Sequence, residues 1–94
     1  MYLIMYDIVS NSKRTRFANI LIEFGYERLQ KSVFVGIENP KKFDAISLQL
    51  QKTTIEDSII MLNISKTNFK NLKKYGTFSV DMEYLCNEKR SMII

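Results

Sequence analysis

Asp7 is the single charged residue in the opening MYLIMYDIVS of this 94-residue chain. The residues around it, 2–9, are apolar and β-prone, the pattern of a central strand buried on both faces. A carboxylate there is costly unless paired, hydrogen-bonded or bound to a metal. The chain has no histidine and one cysteine, Cys86. Serine–histidine and cysteine–histidine nucleophiles, imidazole metal sites and paired-thiolate zinc are thereby excluded. The glycines, Gly25, Gly36 and Gly76, form no phosphate-cradling loop. What remains is hard-oxygen chemistry, with Mg2+ or Mn2+ held by carboxylate, polarising a phosphate and lowering the pKa of a bound water. Asp7 thus has two readings. It is a metal ligand, or it ends the strand and hydrogen-bonds the amides opening the next helix.

Lys13, Arg14 and Arg16 follow in the first turns of an expected helix, where cations oppose the macrodipole. A bound phosphate would offset that cost, since helix N-termini accept anions and guanidinium groups fork onto phosphate oxygens. The alternative is side chains that extend into solvent. A second basic group, Lys66, Lys70, Lys73 and Lys74, falls at three- and four-residue spacing, as a face attracting nucleic-acid backbone or as an ordinary wet surface. Fourteen Lys and Arg against ten Asp and Glu give a formal charge of +4, with a pI near 9.3, a surplus that favours polyanionic partners without requiring them.

The elements positioning these residues read as βαββαβ plus one strand. After strand 2–9, Ser10, Asn11 and Ser12 supply capping side chains, and Phe17, Ile20, Leu21 and Phe24 form one stripe of a helix that Gly25 ends. Residues 26–30 and 32–38 read as two short strands around a bend near Lys31, or one kinked strand, with Phe34 turned away from Val33, Val35 and Ile37. Asn39 and Pro40 open a second helix carrying Phe43, Ile46 and Leu50. Residues 57–64 form another strand apolar on both faces, and 65–75 a short helix with Phe69 and Leu72 inward, ending at Gly76. Phe78, Val80, Met82 and Tyr84 then alternate with Ser79, Asp81 and Glu83, a half-exposed strand before the apolar tail 91–94. The prediction is one ferredoxin-like α+β sandwich over 1–94. A lone cysteine, no apolar run long enough for a membrane span, and no signal-peptide features at the start predict a cytoplasmic protein without membrane contact.

Two helices cover only one face of such a sheet, yet strands 2–9 and 57–64 are apolar on both. The expected cover is a second copy, sheet against sheet about a two-fold axis, with residues 77–94 able to cross to the partner. Pleat parity puts Asp7 with Leu3 and Met5. If that face is the interface, two Asp7 carboxylates approach each other, a like-charge pair that a divalent cation relieves.

The segments LIMYDIVSNSKRTRFANIL, GYERLQKSVFVGIE and DSIIMLNIS, in that order and followed by the isolated Gly76, resemble the CRISPR-associated Cas2 family over about the first three quarters of the chain. The resemblance implies a homodimer that works with the CRISPR integrase in spacer acquisition and binds double-stranded DNA. In some members it also implies Mg2+-dependent cleavage of RNA or duplex DNA. Asp7 matches the family's metal-binding aspartate and Tyr6 the aromatic before it, the two catalytic candidates. Arg14 and Arg16, with Lys13 beside them, match the basic start of the first helix. Arg28, Ser32 and Phe34 match the polar and aromatic positions around Q-x-S-V-F, putting Phe34 near the dimer cleft. From Phe78 onward no family motif is matched. Two functions stand, a metal-dependent endonuclease and a non-catalytic DNA-binding scaffold of the integrase; a ferredoxin-like RNA-cleaving toxin or a regulatory domain is consistent with the fold alone.

Overall fold

The computed structural model describes residues 1–73 and 75. The chain order is β1 (Tyr2–Asp7), α1 (Asn11–Glu23), β2 (Glu27–Gln30), β3 (Val33–Gly36), a 3-10 turn (Pro40–Lys42), α2 (Asp44–Gln51), β4 (Ser58–Asn63) and α3 (Lys66–Lys70). The strands form one antiparallel sheet in the order β2-β3-β1-β4, the βαββαβ sandwich that the sequence predicts. The strand expected over 78–84, the tail 91–94, Gly76, Lys74 and Cys86 lie outside the described residues.

Alternation along β1 divides the core in two. Ile4 and Tyr6, with Ile8 beyond the strand, pack with Phe17, Ala18 and Leu21 of α1, Ile46 of α2, and Tyr26 and Phe34. Leu3 points to the other face, where it meets Leu29, Val35 and the fully buried Phe69 of α3. The chain therefore covers part of its second sheet face itself. Among the described residues the β4 side of that face is not fully covered: Ile60 and Leu62, paired with Met5 and Leu3, are 58% and 48% exposed. Among the described residues β4 is an edge strand and only its Ile59 and Met61 reach the helix-side core, so within the single chain β4 is buried on one side.

Local chemistry accounts for the other boundaries. Ser10 caps α1 by accepting from the Lys13 amide. Gly25, at φ +92°, takes the left-handed conformation that ends α1. The second helix is in two pieces: Asn39 caps only the 3-10 turn, and Phe43 is extended at φ −105°, ψ 120° before α2 begins. That break lets the Phe43 ring stack on Phe24, with centroids 4.7 Å apart. Residues 27–36 form two strands rather than one kinked strand, with a register shift between Arg28 and Gln30. α3 is shorter than 65–75, and Tyr75 is exposed.

Candidate functional site

β1 ends at Asp7, opposite Ser58 of β4, and the Asp7 side chain is exposed. The expectation of a carboxylate within a buried strand is corrected. The strand stops two residues before Val9, so the charge stands at a solvated end and needs no buried partner. Asp7 does end the strand, as the other reading has it, but the acceptors seen for amides in the first turn of α1 and in the loop before it are other residues. The Lys13 amide donates to Ser10 Oγ at 3.4 Å, and the Val9 amide donates to Asp57 Oδ1 at 3.0 Å.

The two catalytic candidates separate. Tyr6 faces the helices while Asp7 faces the opposite side, by the period of the strand. The Tyr6 ring stacks on Phe34 at 6.2 Å and meets Phe17 edge-on at 5.1 Å. Its hydroxyl is buried and has no hydrogen-bond partner of good geometry among the described residues. Burial raises the pKa of that hydroxyl above the usual tyrosine value, and the nearby guanidinium groups of Arg28 and Arg14 offset this only in part. Tyr6 is thus a core residue, held neutral and apart from the Asp7 carboxylate.

The basic residues also take different parts. Arg14 is half-buried and folds back on the loop before its own helix, donating to the Ile8 carbonyl at 2.8 Å and to Asn11 Oδ1. Lys13 lies 4.0 Å from Asp57 Oδ2. Arg16 is exposed and borders two depressions. One is a small cleft with Lys13, Gln49, Lys52 and Asp57 over Ile8, Phe17 and Ile59; the other is a shallow groove along α1 past Thr15, Asn19 and Ile20. Lys13, Arg16 and Lys52 outnumber Asp57 around the cleft, so its lining carries a net positive charge.

On the neighbouring hairpin, Arg28 is exposed and lies over the Phe34 ring, 5.1 Å from its centroid. Ser32 is half-buried in the β2–β3 turn, where its carbonyl accepts the Tyr6 amide at 3.0 Å. Phe34 is fully buried. Its placement near a dimer cleft as a nucleic-acid contact is corrected: it is turned from the aliphatic set because it belongs to the helix-side core. Asp57 was not singled out by the sequence, although the antiparallel β1–β4 pairing of this fold brings the start of β4 to the end of β1.

Among the described residues, no three His, Cys, Asp or Glu side chains cluster as a metal-binding set. Asp7 offers one hard oxygen ligand per chain, which suits a hydrated Mg2+ and does not by itself fix one. No helix among the described residues is long and apolar enough to cross a membrane.

Fold and site together define the class: a ferredoxin-like α+β protein with a carboxylate at the end of its first strand and a basic helix start just beyond it. Residues 1–77 match the model of the family described as CRISPR associated protein Cas2, and the chain belongs to that family. It is 35% identical over 57 residues to a protein of Archaeoglobus fulgidus named CRISPR-associated endoribonuclease Cas2 1, across 61% of each chain. It is 38% identical over 55 residues to CRISPR-associated endoribonuclease Cas2 2 of Pyrobaculum aerophilum, across 57% of this chain and 60% of that one. The match thus spans about three fifths of these archaeal relatives. A Francisella tularensis subsp. novicida protein named CRISPR-associated endoribonuclease Cas2 1 is 33% identical over 81 residues, 85% of this chain and 80% of its own. In fold, a crystal structure of Streptococcus pyogenes Cas2 at pH 6.5 superposes with a TM-score of 0.63 at 24% identity, over 80% of this chain and 98% of that one.

Proposed function

We propose that this protein is a CRISPR adaptation protein that binds nucleic acid as a homodimer, works with the CRISPR integrase in spacer acquisition, and cleaves phosphodiester bonds through Asp7 with Mg2+ or Mn2+. The observation that carries this reading is the solvated Asp7 carboxylate followed, across a three-residue loop, by a helix start bearing Lys13, Arg14 and Arg16. The endoribonuclease names of the relatives support cleavage of RNA; double-stranded DNA is the alternative substrate of this reading.

The open apolar strip of Ile60 and Leu62 supports the dimer. A two-fold axis through that face would bring two Asp7 side chains, which share its parity, toward one another and so supply the second carboxylate that one chain lacks. A divalent cation held between them would neutralise phosphate charge and lower the pKa of an attacking water. Arg16 serves to hold the nucleic-acid backbone, while Arg14 supports the loop. Contacts of this kind, to backbone and not to base edges, give binding without sequence preference.

One observation favours a second reading, a non-catalytic scaffold for the integrase: among the described residues Asp7 belongs to no cluster of three potential metal ligands. Spacer acquisition in cells carrying the integrase and a repeat array separates the two. Under the catalytic reading, Asp7→Ala abolishes acquisition while the purified variant still binds duplex and integrase. Normal acquisition by that variant would establish the scaffold.

A further inference from the structure

The peptide unit joining Ile8 to Val9 is held at both ends by opposite charges. Its carbonyl accepts from the Arg14 guanidinium at 2.8 Å, and its amide donates to Asp57 Oδ1 at 3.0 Å. The Asp57 side chain is only 6% exposed; its second oxygen accepts from the Thr54 hydroxyl at 3.2 Å and lies 4.0 Å from Lys13 Nζ. A carboxylate so little solvated persists only where its partners replace water, and these partners come from three places: the loop after Asp7, the loop before β4 and the first turn of α1. The Val9 side chain is 63% exposed and anchors nothing by packing, so the backbone grip matters more.

We propose that Asp57 is a positioning residue: by clamping the 8–9 peptide against Arg14, it fixes the path of the loop between Asp7 and α1, and with it the orientation in which the basic first turns of α1 meet nucleic acid. The functional half of this inference rests on the nucleic-acid reading above; the clamp itself does not. Two measurements on the full chain separate them. Amide hydrogen exchange in Asp57→Ala should show Val9 losing about tenfold or more of its protection relative to Ile4 and Phe34 in the same molecule, as expected when a charge-assisted acceptor is removed. Asp57→Asn, whose side-chain carbonyl still accepts, should keep Val9 within about threefold of the wild type. If Asp57→Ala does not fold, Arg14→Ala releases the other end of the same peptide and should deprotect Val9 similarly.

In parallel, affinity for a 30-base-pair duplex of arbitrary sequence should fall about tenfold in Asp57→Ala and be rescued by Asp57→Asn. Unchanged Val9 protection in the alanine variant overturns the clamp. Full deprotection in the asparagine variant does the same. A protected loop with unrescued binding overturns the positioning role. A wild type that binds no duplex defeats the nucleic-acid reading and the positioning role with it, while the exchange ratios still decide the clamp.

Discussion

In the proposed dimer, the open strip on β4 sets the strength of self-association. Ile60 and Leu62 keep about half their surface exposed in one chain. Fully burying a large aliphatic side chain is worth ~1.5–3 kcal/mol, so covering the exposed half of each contributes about 1 kcal/mol. A two-fold contact contains each residue twice, which puts the four side chains near 4 kcal/mol in all. Alanine retains the Cβ of each, so the double variant Ile60→Ala, Leu62→Ala should lose about 3 kcal/mol, a little over a hundredfold in the dimer dissociation constant. Sedimentation equilibrium over a concentration series measures this directly. Because about half of each side chain is already covered in the single chain, the double variant extrapolated to its monomer should lose only about 1 kcal/mol of stability for each substitution and stay folded. A wild type that remains monomeric at every concentration, or a double variant with the wild-type dissociation constant, would refute the reasoning.

Other outcomes follow from single side chains. Phe34 is fully buried, so Phe34→Ala should destabilise folding by ~3–5 kcal/mol in urea, whereas a folded Phe34→Leu should bind duplex as the wild type does. Arg16→Ala should weaken duplex binding and reduce the slope of log K against log salt by about 0.9 for each phosphate that the side chain neutralises. The Tyr26 hydroxyl donates to the Glu38 carbonyl, and burial, with smaller contributions from Glu38 and Tyr2, pushes its pKa up to about 12 from 10. The unfolded chain therefore releases that proton first, so Tyr26 adds stability that is complete below pH 10 and is lost as pH rises from there through 12, about 2 kcal/mol in total. Denaturant titrations across this window should show the decline, and Tyr26→Phe should flatten it; an equally steep decline in the variant would remove Tyr26 as the source.

Periodicity was enough for the element order and the helix-side core, because Phe17, Leu21 and Ile46 sit where their spacing requires and Gly25 takes the conformation expected of a helix end. The same reasoning misjudged Asp7 and Phe34 for one reason. An apolar run marks burial somewhere along it without marking where the strand leaves the sheet, and parity separates two faces without saying which is dry. Pairing decides both: Ser58 opposes Asp7 at the end of the ladder, and Ile4 opposes Phe34 inside it. The basic cluster was legible as a cluster, but its division of labour was not, since the fold-back of Arg14 onto the Ile8 carbonyl depends on the path of the loop. Asp57 was hidden because its partners at the end of β1 and the start of α1 are far away in sequence; the Val9 amide is 48 positions off. The break before α2 was missed because Asn39 and Pro40 are equally good openers of a 3-10 turn.

Metal-dependent phosphodiester chemistry at the exposed Asp7 carboxylate is the activity proposed for this chain. Single-turnover cleavage of an end-labelled RNA strand and of a DNA duplex, with Mg2+ and saturating protein, tests it most directly in the wild type and in Asp7→Asn, which keeps the size and polarity of the side chain and removes its charge. The prediction is cleavage that chelation abolishes and that falls by about a hundredfold or more in Asp7→Asn, with nucleic-acid binding within about twofold of the wild type. Equal cleavage rates for the two proteins, at equal binding, would contradict it.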